Sequence, residues 1–131
     1  MSAGGNDLID AINSKSKYLV NDRPISILKA NKNGTTASDF VDMAELGLFL
    51  EHMKSCFQEL ISMRDNSKNK DVPILAHTYD FPTPNDAPAT YPLAQPRGPW
   101  LHKALKAKNI LPKYWDGISD LLFKEFSNFF C

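Results

Sequence analysis

Apolar residues recur at intervals of three and four over one long stretch in the middle of the chain. Ser38 or Asp39 can cap a helix there, and the recurrence predicts that this helix continues to about Arg64. Its apolar stripe consists of Phe40, Val41, Leu46, Phe49, Leu50, Met53, Cys56, Phe57, Leu60 and Ile61. Such a stripe usually packs on a core, here one face of a sheet, and a helix that docks in a partner's groove is the alternative.

Three shorter stretches show the same helical periodicity. They predict helices over 8–19, 100–107 and 118–130, and Pro112 separates the last two. The first of these follows Asp7, an acidic residue that suits the first turn of a helix. The terminal helix is rich in phenylalanine, with an apolar face made of Ile118, Leu121, Leu122, Phe126, Phe129 and Phe130.

One short apolar run, 72–78, predicts a strand that is entered through Pro73. It is expected to be parallel to a strand ending at Ser2 or Ala3, because a helix of crossover length separates the two. The stretch 20–38 predicts a loop with a helical turn. The stretch 80–99 holds six of the nine prolines and predicts a stiff, extended loop.

Composition excludes several classes of partner. The 131 residues suit one domain, and 15 basic residues balance 15 acidic residues, so no basic surface for nucleic acid is expected. No apolar stretch approaches the roughly 20 residues that a membrane span requires. Two cysteines do not make a disulfide framework; Cys56 is expected to be a buried thiol and Cys131 an exposed one. Three separated histidines do not resemble a zinc site, and His52 and His102 are expected to face solvent.

Three short motifs carry the candidate chemistry. Two glycines before Asn6 and Asp7 are typical of a strand end that turns into a helix, where Asn6 could cap the helix or point its amide at a ligand. The motifs, in chain order, are Gly4-Gly5-Asn6-Asp7, His77-Thr78-Tyr79-Asp80-Phe81-Pro82-Thr83-Pro84 and Gly98-Pro99-Trp100-Leu101. The first resembles the third sequence block of the SGNH (GDSL-type) hydrolases, a family of serine esterases and lipases, and the other two resemble segments of one bacterial subgroup of that family.

The resemblance implies a fold and a site. The fold is the family's α/β architecture, a flavodoxin-like three-layer parallel sheet that is incomplete in this chain, with 1–131 as a single partial domain. Asn6 would donate to the oxyanion of an ester substrate. Gly5, Asp7, His77 and Asp80 would line the substrate site, and no metal or organic cofactor is implied.

The chain also departs from the family's pattern. No Gly-Asp-Ser block that would hold the nucleophile is present, and no Asp-x-x-His block that would hold the base follows the terminal helix. The resemblance therefore implies a middle segment of an ester hydrolase, inactive as given and able to associate with itself through exposed sheet edges. The competing hypothesis is a non-catalytic helical module that binds a protein through the Phe-rich terminal helix. The sequence does not indicate a compartment.

Overall fold

The chain is mainly helical in the computed structural model, which describes residues 5–13, 19–20, 23–75, 81–87, 89–91 and 94–130. Within these residues, the α-helices are α1 (Gly5–Ile12), α2 (Met43–Asp65), α3 (Trp100–Ala107) and α4 (Trp115–Phe130). The described residues also form two 3₁₀ turns: Ala37–Phe40 is separated by two residues from the start of α2 at Met43, and Pro112–Tyr114 immediately precedes α4. None of the described helices has the length and apolar composition that a membrane span requires.

The described strands form two small antiparallel pairs. Strand β1 (Leu19–Val20) pairs with β2 (Arg23–Pro24), and β3 (Ala89–Tyr91) pairs with β4 (Ala94–Arg97). No parallel pair occurs among the described residues, so the predicted three-layer parallel α/β sheet is wrong. The apolar faces that would cover such a sheet instead pack helix against helix. Because this parallel sheet is not formed, the exposed sheet edges that were expected to allow self-association are also absent from the described part of the chain.

The predicted strand at 72–78 is wrong over its described part. Residues 72–75 have no strand partner, and Val72 and Leu75 are 55% and 84% exposed. A strand forms only where a neighbouring strand exchanges backbone hydrogen bonds with it, and no described strand pairs with this segment. Residues 76–78, and the expected strand ending at Ser2 or Ala3, lie outside the described residues.

The hydrophobic core lies where α1, α3, α4 and the first half of α2 meet, with residues 25–28 packed between them. Its largest fully buried side chains are Phe49, Phe126, Leu8, Ile12, Ile27, Leu28, Leu46, Leu105, Ile118 and Leu122. The predicted helices therefore exist, and α3 has the predicted bounds. Helix α4 begins three residues earlier than predicted, whereas α1 begins at Gly5 and ends at Ile12, well before residue 19.

Two carboxylates organise the start of α2. Asp42 Oδ1 accepts hydrogen bonds from the backbone N–H groups of Ala44 and Glu45, each at 3.1 Å, and so caps the helix. The predicted cap, Asp39, lies in the preceding 3₁₀ turn and accepts from the N–H group of Thr36 at 2.9 Å. The predicted helix thus begins three or four residues later than expected, because two capping residues close in sequence serve two separate turns.

Aromatic contacts attach the 31–40 loop to the start of α4. Tyr114 donates its hydroxyl to the carbonyl oxygen of Gly34 at 3.2 Å, and its ring lies 4.9 Å from that of Phe40. Gly34 lies against the Phe40 ring so closely that a Cβ atom there would be 2.6 Å from Phe40 Cζ. On the other side of α4, Ser119 donates its hydroxyl to the carbonyl oxygen of Pro82 and holds the proline-rich segment on the helix.

Candidate functional site

The residues of the predicted oxyanion site fall on two parts of the chain. Gly5, Asn6 and Asp7 form the first turn of α1, and Asp7 is half-buried. The helix begins one residue before Asn6, so this residue lies inside the first turn. His77 and Asp80 lie outside the described residues. Whether the two motifs meet is therefore untested, and the parallel sheet that was expected to bring them to one edge is not formed by the described residues.

The third motif precedes a helix. The Gly98–Pro99 peptide bond is cis, Gly98 has a φ of 93°, and α3 begins at the next residue, Trp100. Leu101 points into the core, where it is 5% exposed. The described part of this motif is therefore accounted for by the turn into α3 and by packing.

An open apolar groove lies at the other end of the molecule, where the chain turns back after α2. Its volume is about 490 Å³. The apolar wall residues are Leu60, Met63, Val72, Pro73 and Ile74. The predicted strand thus contributes to a surface instead of a sheet. This groove was not predicted, although the continuation of the apolar stripe to Ile61 and the apolar run at 72–75 are both visible in the sequence.

The groove exists because the apolar stripe of α2 continues past the core. In the first half of the helix this stripe buries Leu46, Phe49 and Met53. At the same three- and four-residue spacing it continues through Phe57 and Leu60, which are only half-buried. Beyond Met53 the helix extends for twelve residues, or roughly 18 Å at 1.5 Å per residue. Beyond Phe57, whose ring lies beside that of Phe129 in α4, the last two turns or so therefore present a core-like face without the helices that cover the first half.

Side chains next to this stripe are strongly exposed. Met63 is 64% exposed, Ile61 42% and Leu75 84%. Together with Val72, and at roughly 150 Å² for each fully exposed side chain, they present roughly 400 Å² of apolar surface. Met63 and Val72 line the groove itself, and exposed apolar side chains around a groove often mark a binding surface.

Hydrogen bonds hold the turn that forms one wall of the groove. Ser67 donates its hydroxyl to the carbonyl oxygen of Arg64 at 2.8 Å and accepts from the N–H group of Asn69 at 3.0 Å. The N–H group of Val72 donates to the carbonyl oxygen of Asn69 at 2.9 Å. Arg64 is paired with Asp65, its Nε donating to Asp65 Oδ1 at 2.8 Å. The groove is therefore preformed, which reduces the ordering cost of binding.

Cys56 is exposed, and the prediction of a buried thiol is wrong. It lies on the part of α2 that extends past the core, and its Sγ is 3.7 Å from Nε2 of His52, one turn earlier. His52 faces solvent as predicted, whereas His102 is half-buried with its ring edge-to-face with Trp115 at 4.9 Å. Among the described residues, no group of three or more His, Cys, Asp and Glu side chains is placed to hold a metal ion.

The most perturbed carboxylate described lies at the opposite end of α2. Glu45 is 8% exposed, and it accepts from Arg23 Nη1 at 2.9 Å and from the N–H group of Ser26 at 3.0 Å. The Arg23 guanidinium, followed by the Ser26 N–H group, lowers the pKa of Glu45 to about 2. Backbone N–H groups of Thr35 and Thr36 likewise lower the pKa of Asp39. Both carboxylates stay ionised at neutral pH, so they hold structure and are poorly suited to general acid–base catalysis.

Comparison of the chain with protein families, with curated proteins and with solved structures gave no match.

Proposed function

We propose that this chain is a non-catalytic helical module that binds a protein segment in the groove formed by the end of α2 and residues 72–75. The observation that carries the proposal is the core-like stripe of α2, which continues into solvent for about two turns beyond Phe57. A partner that presents apolar side chains at helical spacing would complete this face as the other helices complete its first half.

The binding surface differs from the one that the sequence analysis assigned to such a module. The Phe-rich face of α4 packs in the hydrophobic core, where Phe123 and Phe126 are 3% and 0% exposed. Phe129 is half-buried, with its ring 6.2 Å from that of Phe57. The groove begins beyond this contact, so the proposed partner would pack next to the end of α4 without displacing it.

Ester hydrolysis by an SGNH-type mechanism stays a prediction from the three motifs. It requires a serine and a histidine base in blocks that this sequence does not contain, and Asn6 alone supplies one hydrogen-bond donor. We expect the chain as given to leave a short-chain nitrophenyl ester intact beyond the buffer rate. Turnover that is lost in an Asn6→Ala variant would restore the hydrolase hypothesis.

A peptide library tests the proposed function directly. Displayed 16-residue peptides are selected on the immobilised chain, and the enriched peptides are then measured on a Met63→Asp variant, which was not used in the selection. Gln58→Asp is the matched control, because it places the same charge on the exposed, opposite face of α2. We expect enriched peptides with apolar residues at spacings of three and four.

The selected peptides should separate the two variants. Their affinity is expected to fall at least about tenfold, or about 1.4 kcal/mol, for Met63→Asp, because the new carboxylate would be buried by the peptide. Affinity for Gln58→Asp should match that of the unchanged chain. Failure to enrich any peptide, or equal binding to both variants, would contradict the proposal.

A further inference from the structure

The chain contains a single Asn-Gly pair, Asn33-Gly34, which lies in the 31–40 loop that is attached to the start of α4. Asn33 is exposed in a turn, and the Gly34 N–H group closes this turn by donating to the carbonyl oxygen of Asn31 at 3.2 Å. We propose that Asn33 is a site of spontaneous deamidation, a covalent modification that detaches this loop from α4. The inference is independent of the groove and of the proposed function.

The reaction needs only these two residues and water. A base removes the proton of the Gly34 N–H group, and the nitrogen attacks Cγ of Asn33, so that a C–N bond forms. The bond between Cγ and Nδ2 breaks, and Nδ2 leaves as ammonia after taking up one proton. The product is a cyclic succinimide. Water then opens the ring at Cγ, which gives aspartate, or at the main-chain carbonyl carbon, which gives isoaspartate with one extra CH₂ group in the backbone.

The residue after Asn33 is what distinguishes it from other asparagines. Glycine has no Cβ atom, so nothing obstructs the approach of its nitrogen to the side chain before it. Asn69 is also exposed in a turn, but Lys70 follows it. The Asn66 amide donates to the carbonyl oxygen of Ser62 at 2.9 Å and is held against α2. Asn33 therefore combines an exposed amide with an unobstructed nitrogen.

The attachment of Gly34 to α4 controls the rate of the reaction. Removal of the Gly34 proton breaks the hydrogen bond to Asn31, and the turn must open for this to happen. Two contacts oppose the opening: the Tyr114 hydroxyl donates to the carbonyl oxygen of Gly34 at 3.2 Å, and the Phe40 ring lies directly against Gly34. Deamidation therefore proceeds from a locally opened state, and contacts that hold the turn slow it.

Isoaspartate at position 33 is incompatible with the attached loop. A Cβ atom on Gly34 would already be 2.6 Å from Phe40 Cζ, so the longer backbone has no room to keep Gly34 against that ring. The displaced Gly34 would also lose the hydrogen bond from Tyr114. Aspartate keeps the normal length of the backbone and therefore both contacts. The isoaspartate product is thus the one that detaches the loop.

Mass spectrometry of peptides from the aged chain tests the site. The full chain is incubated in mildly alkaline buffer, in which amide protons are removed more readily. We expect conversion to the acid to be several-fold faster at Asn33 than at Asn69, the internal control. Asn33→Gln should prevent conversion at this position, because glutamine would have to close a larger ring. Equal rates at Asn33 and Asn69 would overturn the proposal.

Tyr114→Phe tests whether the attachment to α4 sets the rate. It removes the hydrogen bond to Gly34 and keeps the ring, and we expect deamidation at Asn33 to become about twofold to tenfold faster. Ser119→Ala is the matched control, because it removes a hydroxyl of α4 that donates to Pro82 instead. Circular dichroism checks that both variants keep the helical fold. An unchanged rate in Tyr114→Phe, or equal acceleration in Ser119→Ala, would overturn the control by the attachment.

Thermal unfolding tests the detachment. Deamidation adds one negative charge to a chain of zero net charge, so anion exchange separates the modified fraction, and the peptide map gives its isoaspartate content. Asn33→Asp is the matched control, since it carries the same charge on a backbone of normal length. We expect the isoaspartate form to have a Tm about 2–6 °C below that of Asn33→Asp. Equal Tm values would overturn the detachment of the loop.

Discussion

The ion pair between Arg23 and Glu45 gives the sharpest prediction about stability. Both guanidinium Nη atoms of Arg23 donate to the Glu45 carboxylate, which is also bound by the N–H group of Ser26. Glu45→Gln keeps the size of the side chain and one acceptor oxygen but removes the negative charge. The exposed guanidinium group of Arg23 would then lose its charged partner, and the start of α2 would lose its contact with strand β2.

The magnitude follows from the pKa of Glu45. A fall from 4.5 to about 2 corresponds to a ceiling of about 3 kcal/mol at 1.36 kcal/mol per unit. Arg23 has a side chain 54% accessible to solvent, and water therefore screens the pair. We expect Glu45→Gln to lower the free energy of unfolding at pH 7 by about 1–2 kcal/mol.

The pH dependence of the free energy of unfolding can refute the role assigned to this ion pair. Because the pKa of Glu45 is lowered in the folded state, its stabilisation is complete above the unfolded-state pKa and is lost as the pH falls towards 2. The difference in unfolding free energy between the wild type and Glu45→Gln should shrink by more than about half between pH 7 and pH 3. Urea titrations can follow the fluorescence of Trp115, whose indole N–H donates to Ile110 O at 2.8 Å.

Glu59→Gln is the matched control for this prediction, since Glu59 is exposed on the same helix. It should change the free energy of unfolding by less than about 0.5 kcal/mol at either pH. An effect of Glu45→Gln that equals that of Glu59→Gln, or a difference that is as large at pH 3 as at pH 7, would refute the assigned role of the pair.

Further predictions concern α2 and the loop that precedes it, and thermal unfolding checks each of them. Asp42→Ala removes the cap of the helix and should cost about 1 kcal/mol; no loss would show that another group caps α2. Gly34→Ala would force a Cβ atom into the Phe40 ring and should cost about 1–3 kcal/mol. Gly47→Ala meets no atom within 4 Å and should stabilise the helix by about 0.5–1 kcal/mol, so an equal effect of the two glycine changes would contradict the described packing.

Helical periodicity predicted the helices well because it reports a local property. The 100–107 helix was found with the same bounds, and Leu46, Phe49 and Met53 of the predicted stripe are buried in α2, whereas Cys56 is exposed. The exact start of α2 was not predicted, since Asp39 and Asp42 are both good capping residues and only the tertiary contacts of the intervening turn select between them. Local sequence therefore predicts the presence of a helix more accurately than it predicts the first and last residues of that helix.

The sheet and the groove depend on long-range contacts that periodicity does not report. An apolar run such as 72–75 suits a buried strand or an exposed binding surface equally well, and only the presence of a neighbour distinguishes them. Cys56 was placed in the core for the same reason, because the stripe does not reveal where the covering helices stop. The fold inferred from short motifs failed because such motifs specify local chemistry and leave topology open.

Backbone amide hydrogen exchange on the chain saturated with a selected peptide tests the central claim most directly, because it locates the contact. We expect exchange to slow at the amides of 54–65, at the end of α2, and of 72–75, in the facing wall of the groove. Exchange should stay unchanged in α1 and α3. Slower exchange confined to α1, α3 or α4, with 54–65 unaffected, would contradict the assignment of this surface as the binding site.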